Sequence, residues 1–147
     1  MKIKILHPTY EYKNEKNVNN YSVVIKAEYG DFAVLFTGDA EKEVEKILIE
    51  NWGNKLDSDL LKVGHHGSNS SSTHEFLEHV SPEYAVISVG TKNRYNHPDK
   101  EIILRLGACA DTLFRTDLDG AVIFTYGGSS LKIETIVSEK KIIDCDI

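Results

Sequence analysis

Two cysteines in 147 residues, Cys109 and Cys145, are too few and too far apart for a disulfide framework or a C-x-x-C pair. They read as free thiols of a reducing compartment, so a cytoplasmic location is expected. Long apolar runs are missing too. The longest, such as Ala121-Val122-Ile123-Phe124, have strand length, far short of the roughly 20 residues that cross a bilayer, and no membrane span is expected. Residues 1–8 alternate like a strand and turn polar too early for a signal peptide. An excess of basic residues is also lacking. Lys and Arg number 17 against 23 Asp and Glu, and the net charge of −6 argues against a general nucleic-acid coat while leaving room for a local basic cleft. Finally, no H-x-H-x-D-H run of closely spaced histidines and carboxylates occurs.

What is present suits one α/β domain over residues 1–147, long enough for a real core. Residues 2–6 read as a strand stopped by His7-Pro8, and the Asn-, Lys- and Glu-rich stretch 9–20 as a mobile loop. Strands at 22–28 and 32–36 form a hairpin with Gly30 at the turn. Ala40, Val44, Ile47 and Leu48 recur at helical spacing, with Glu41 and Glu43 in the first turn; Asn51-Trp52-Gly53-Asn54 ends that helix. A short strand at 60–63 precedes a capping box, Ser72-x-x-Glu75, that opens a helix through Phe76, Leu77 and Val80. A strand at 84–89, a helix from Pro98 through Ile102, Ile103 and Leu106, and strands at 113–115, 121–126 and 131–137 complete the pattern. The expected architecture is a mixed sheet with helices on one face, whose other face needs cover.

The chemistry-bearing residues lie at strand ends. Leu35-Phe36-Thr37-Gly38-Asp39-Ala40 and Leu61-Lys62-Val63-Gly64-His65-His66-Gly67-Ser68 each read as an apolar strand that ends on potential metal ligands. Asp39 with His65 or His66, joined by His97, would make an open single-metal set. Asp39 also stands where a helix N-cap would, His65-His66 is compatible with a polar turn, and His97 with a mere lead into a helix. His74 and His79 read as surface residues of a helix. The serines at 68 and 70–72 form a loop, with no G-x-S-x-G setting for a nucleophile. The run 117–120 reads as a turn. Lys92, Arg94, His97, Lys100 and Arg115 form a local positive cluster that favours phosphate, phosphodiester or single-stranded nucleic acid.

These segments, together with Asn20-Tyr21-Ser22-Val23-Val24, Ile87-Ser88-Val89-Gly90, Asn93-Arg94-Tyr95-Asn96-His97-Pro98 and Arg115-Thr116-Asp117-x-x-Gly120, carry a resemblance over nearly the whole chain. In this order they resemble the C-terminal half of a metallo-β-lactamase-fold hydrolase domain, in particular that of the ComEC competence proteins and their stand-alone homologues. The resemblance implies the second half of an αβ/βα sandwich and a zinc- or manganese-dependent hydrolase of phosphodiesterase or nuclease type. It implies that Asp39 bridges two metal ions, and that one of His65 and His66 is the last metal ligand while its neighbour touches substrate; either order is open. Ser68, Lys92, Arg94 and His97 would border the substrate.

The resemblance implies that the H-x-H-x-D-H cluster of the family's first half holds most of the metal coordination, and its absence here implies an incomplete, inactive site in the chain by itself. His7 is the sole histidine before Asp39 and has no partner at ligand spacing. The partners expected are a missing N-terminal half or a second copy of the chain, because an isolated half would expose more apolar surface than a monomer tolerates. The alternative is a non-catalytic module that binds phosphate, another anion or a partner, or a homodimer pooling two Asp/His sets.

Overall fold

The computed structural model describes residues 1–9, 13 and 16–136 in full and the backbone of Ile142–Asp146. The expected loop 9–20 and the expected end of the last strand at 137 therefore lie partly outside the described residues, as does the Cys145 side chain. Six strands form one sheet in the order of the chain: β1 (Lys2–His7), β2 (Val24–Tyr29), β3 (Phe32–Phe36), β4 (Leu60–Lys62), β5 (Tyr84–Ile87) and β6 (Thr112–Arg115). The first three are antiparallel; β3 through β6 are parallel. The hairpin turn between Tyr29 and Phe32 holds Gly30 at φ +59°, as the sequence predicts.

Helices α1 (Lys42–Trp52), α2 (His74–Val80) and α3 (Lys100–Cys109) connect the parallel strands. Val44 and Leu48 of α1, Phe76, Leu77 and Val80 of α2, and Ile102 and Leu106 of α3 pack on Leu35, Leu61, Ala85 and Ile87 in one core. Helices thus cover one face of a mixed sheet, as expected. Two caps differ from expectation. Thr73, not Ser72, caps α2 by accepting the Phe76 N–H, because Ser72 takes a left-handed φ of 53°. Asp39 is not a cap either: α1 begins after Glu41. Pro98 likewise precedes the cap position, Asp99, rather than opening α3.

The second face, expected to need cover, is covered in part by the chain itself. A separate antiparallel sheet of β7 (Val122–Tyr126), β8 (Ser130–Thr135) and β9 (Ile142–Asp146) follows the four-residue helix α4 (Thr116–Asp119), where a turn was expected. Val122, Phe124, Tyr126, Leu131 and Ile133 of that sheet pack on Phe32, Val34, Leu60, Tyr84, Val86 and Phe114. The period of two explains both cores, since Leu35, Leu61 and Ala85 point to the helices while their neighbours point to the small sheet. Toward the β1–β2 edge the same face remains uncovered and displays Ile3, Ile5 and Phe36, while the half-exposed Tyr29 meets the Tyr126 ring edge-on. Among the described residues, no helix is long and apolar enough to cross a membrane.

Candidate functional site

Asp39 leaves the C-terminal end of β3 and the histidine pair leaves that of β4; the two strands are adjacent and parallel, with Phe36 opposite Lys62. Ligand sites of parallel sheets form at such ends. The Asp39 turn is braced from behind. Gly38 has φ +58°, and a Cβ there would lie 2.9 Å from the Ser22 Cβ, so the turn needs glycine. Ser22 Oγ accepts the Asp39 N–H at 2.9 Å, and the buried Asn20 accepts the Glu41 N–H through Oδ1 at 3.0 Å. Thr37 Oγ1 donates to the Lys62 carbonyl at 2.9 Å and Lys62 Nζ donates to the Gly38 carbonyl at 3.2 Å. Burial lowers the Lys62 pKa, and the Asp39 carboxylate works against that shift. Neither Lys62 nor the Asn20–Ser22 brace is visible as a site feature in the sequence; the nearest signal is that the brace falls in the Asn20-Tyr21-Ser22 motif.

The two histidines, both in left-handed backbone at φ 46° and 55°, point to different neighbours. His66 Nδ1 bonds the Ser88 carbonyl at 2.7 Å. A carbonyl only accepts, so Nδ1 carries a proton there, and Nε2 is the nitrogen turned to Asp39, 3.5 Å from Oδ1. Both side chains are accessible, His66 at 49% and Asp39 at 41%. His65 is committed to the protein instead. Its Nδ1 lies 3.3 Å from Glu41 Oε1 and 3.2 Å from Ser70 Oγ, and its Nε2 lies 3.5 Å from Asn19 Nδ2, which itself donates to Glu41 Oε1 at 2.9 Å.

The other expected residues divide. The His97 ring lies 5.9 Å from the His65 ring, with Nδ1 turned to Asp99 Oδ2 at 3.7 Å. Its loop is pinned to the histidine turn, for the Asp99 N–H donates to the Gly67 carbonyl at 2.9 Å. Ser68 Oγ shares a hydrogen bond with Ser70 Oγ at 3.0 Å. Arg94 lies over the Tyr95 ring, its guanidinium 4.7 Å from the centroid, and Lys92 and Lys100 are exposed. Arg115 does not join a free positive cluster, because Asp117 binds it through two hydrogen bonds, at 3.1 and 2.6 Å. Among the described residues, no three His, Cys, Asp or Glu side chains come together to hold a metal ion. The Asp39–histidine–His97 set is therefore not assembled. Asp39 and His66 fit two ligands of a zinc or manganese site, and what this chain presents does not fit a whole one.

The chain is 42% identical over 123 residues to competence protein ComA of Neisseria gonorrhoeae, covering 82% of this chain and 18% of that protein. It is 39% identical over 108 residues to ComE operon protein 3 of Bacillus subtilis, covering 74% and 14%. A protein named for competence is thus among its relatives. A third, recombination protein 2 of Haemophilus influenzae, is 35% identical over 116 residues, 79% of this chain and 14% of that protein. The chain thus spans less than a fifth of the length of these relatives. No family profile matches it.

Proposed function

We propose that this chain forms the second half of a metallo-β-lactamase-type hydrolase domain of the ComEC kind, acting on phosphodiesters during DNA uptake, and that it contributes Asp39 and His66 to a metal site completed by another polypeptide segment. The observation that carries this reading is the Asp39–His66 pair. Two adjacent parallel strands bring a carboxylate oxygen of Asp39 and Nε2 of His66 to within 3.5 Å of each other. The Ser88 carbonyl fixes the histidine from behind, as outer partners of metal-bound histidines do. Metals bound there would supply Lewis-acid activation of water and of the phosphate. His66 is the metal-side histidine in this reading; His65, tied to Glu41, Ser70 and Asn19, holds the turn in shape.

The uncovered sheet face at Ile3, Ile5 and Phe36 supports a packing partner, and the metal-rich half is the partner that also completes the site. The test is complementation. A polypeptide carrying the H-x-H-x-D-H half, mixed with this chain and zinc or manganese, is expected to hydrolyse a phosphodiester, and Asp39→Ala or His66→Ala to abolish the activity. No hydrolysis in any such mixture contradicts the reading.

A further inference from the structure

A pocket of about 210 Å³ opens beside His66, lined by Val89, Gly90, Asn93, Tyr95 and His97. That is smaller than the roughly 300–1,000 Å³ of sites that enclose a whole drug-sized ligand, and it suits a single ring system. Its wall is aromatic. The Tyr95 and His97 rings are nearly parallel, 18° apart with centroids at 5.8 Å, and Tyr95 is 61% exposed. An exposed aromatic ring at the mouth of a pocket is costly to leave in water, and this one is held in place rather than folded away.

Asn93 does the holding. Its Nδ2 donates to the carbonyls of Gly90 and His97 at 3.0 and 2.7 Å, and its Oδ1 accepts the backbone N–H groups of Tyr95 and His97 at 3.2 and 2.9 Å. All the amide's principal valences are spent on the loop, so Asn93 preorganises the wall and has nothing left for a ligand. Arg94 extends over the Tyr95 ring and bonds its hydroxyl, placing a cation at the rim, and Lys92 adds a second exposed charge in the same loop.

We propose that this pocket is a base-stacking subsite that takes the heterocyclic base of a nucleotide against Tyr95 and His97, with Arg94 and Lys92 facing the adjoining phosphate. The inference rests on the proposed hydrolase reading for the identity of the reacting group, since a base seated here lies next to the Asp39–His66 pair. It goes beyond that reading in assigning a pocket for the base itself and the residues that line it. Stacking of one base on an aromatic side chain, combined with cations along the backbone, is how sequence-tolerant single-strand sites gain affinity.

The test compares two fluorescein-labelled strands with equal phosphate number, hexathymidylate and its fully abasic analogue, binding to the chain without added metal, read by fluorescence anisotropy. Hexathymidylate is expected to bind about tenfold more tightly. Tyr95→Ala is expected to erase the preference and Tyr95→Phe to keep it, and at an exposed position neither threatens the fold. Equal binding of the two strands, no binding of either at millimolar protein, or a preference that survives Tyr95→Ala overturns the proposal. Hydrolysis by the complemented protein is scored separately. A base preference without hydrolysis leaves this subsite standing and removes the hydrolase reading; hydrolysis without a base preference does the reverse.

Discussion

The hydroxyl of Ser22 accepts the backbone N–H of Asp39 at 2.9 Å, across the antiparallel pair and behind the turn that presents the carboxylate. The bond depends on Gly38, whose positive φ and missing side chain let the two segments meet. The strand end, the turn and the Asn20–Ser22 segment therefore form one brace. Its purpose is local: it fixes where Asp39 points without using the carboxylate itself.

Gly38→Ala is expected to cost about 1–3 kcal/mol, from left-handed strain and the approach to Ser22. Ser22→Ala is expected to cost about 1 kcal/mol, the worth of one part-buried hydrogen bond. Urea unfolding of the two variants beside the native chain checks both. A Gly38→Ala variant as stable as the native chain would remove the brace from the account.

Glu45 gives a pH signature. This buried α1 carboxylate accepts the N–H groups of Ser72 and Thr73, the second at 2.9 Å, at the entry to α2. Burial raises its pKa above the ordinary value of 4.5, and the two N–H donors and Arg105 only partly offset this. The folded state therefore holds the proton more tightly than the unfolded one. The stability this contributes is fully present below about pH 4.5 and is lost as pH rises through the higher folded value. Glu45→Ala is expected to cost about 1–3 kcal/mol by orphaning the two N–H groups. The variant should also lose that part of the pH dependence; thermal melts from pH 4 to 7 check it. An unchanged profile would rule out Glu45 as its source.

Much of this was legible in the sequence. Apolar alternation and helical spacing locate β1 to β8 and α1 to α3, because burial on one face dictates those periods. What sequence could not settle depends on tertiary placement. Adjacent histidines are equivalent in a motif, and only the left-handed turn sends His66 to Asp39 and His65 to Glu41. Ser72 is by type the better cap and Thr73 an acceptable one, and the left-handed backbone of Ser72 decides for Thr73. The strands β7 and β8 were readable, while their fold-back onto the sheet's second face was not, since no local signal says which surface a hairpin covers.

That fold-back leaves a smaller apolar patch than a bare sheet would. The chain is still expected to associate through Ile3 and Ile5, 59% and 66% exposed on the uncovered face, whether with a second copy or with the complementary half. The double variant Ile3→Lys, Ile5→Lys is expected to weaken self-association at least tenfold in light scattering. It should also impair complementation while leaving the melting temperature within a few degrees. A native chain that stays monomeric at high concentration limits the patch to a heterologous partner.

The central claim is that Asp39 and His66 are the metal-side residues and that this chain supplies only part of the site. The most direct measurement is calorimetric titration of zinc and of manganese into the chain alone, beside Asp39→Ala, His66→Ala and His65→Ala. Weak binding is expected in the native chain, lost in Asp39→Ala and His66→Ala and kept in His65→Ala. Tight stoichiometric binding by the chain alone, or binding lost in His65→Ala but kept in His66→Ala, would contradict the account.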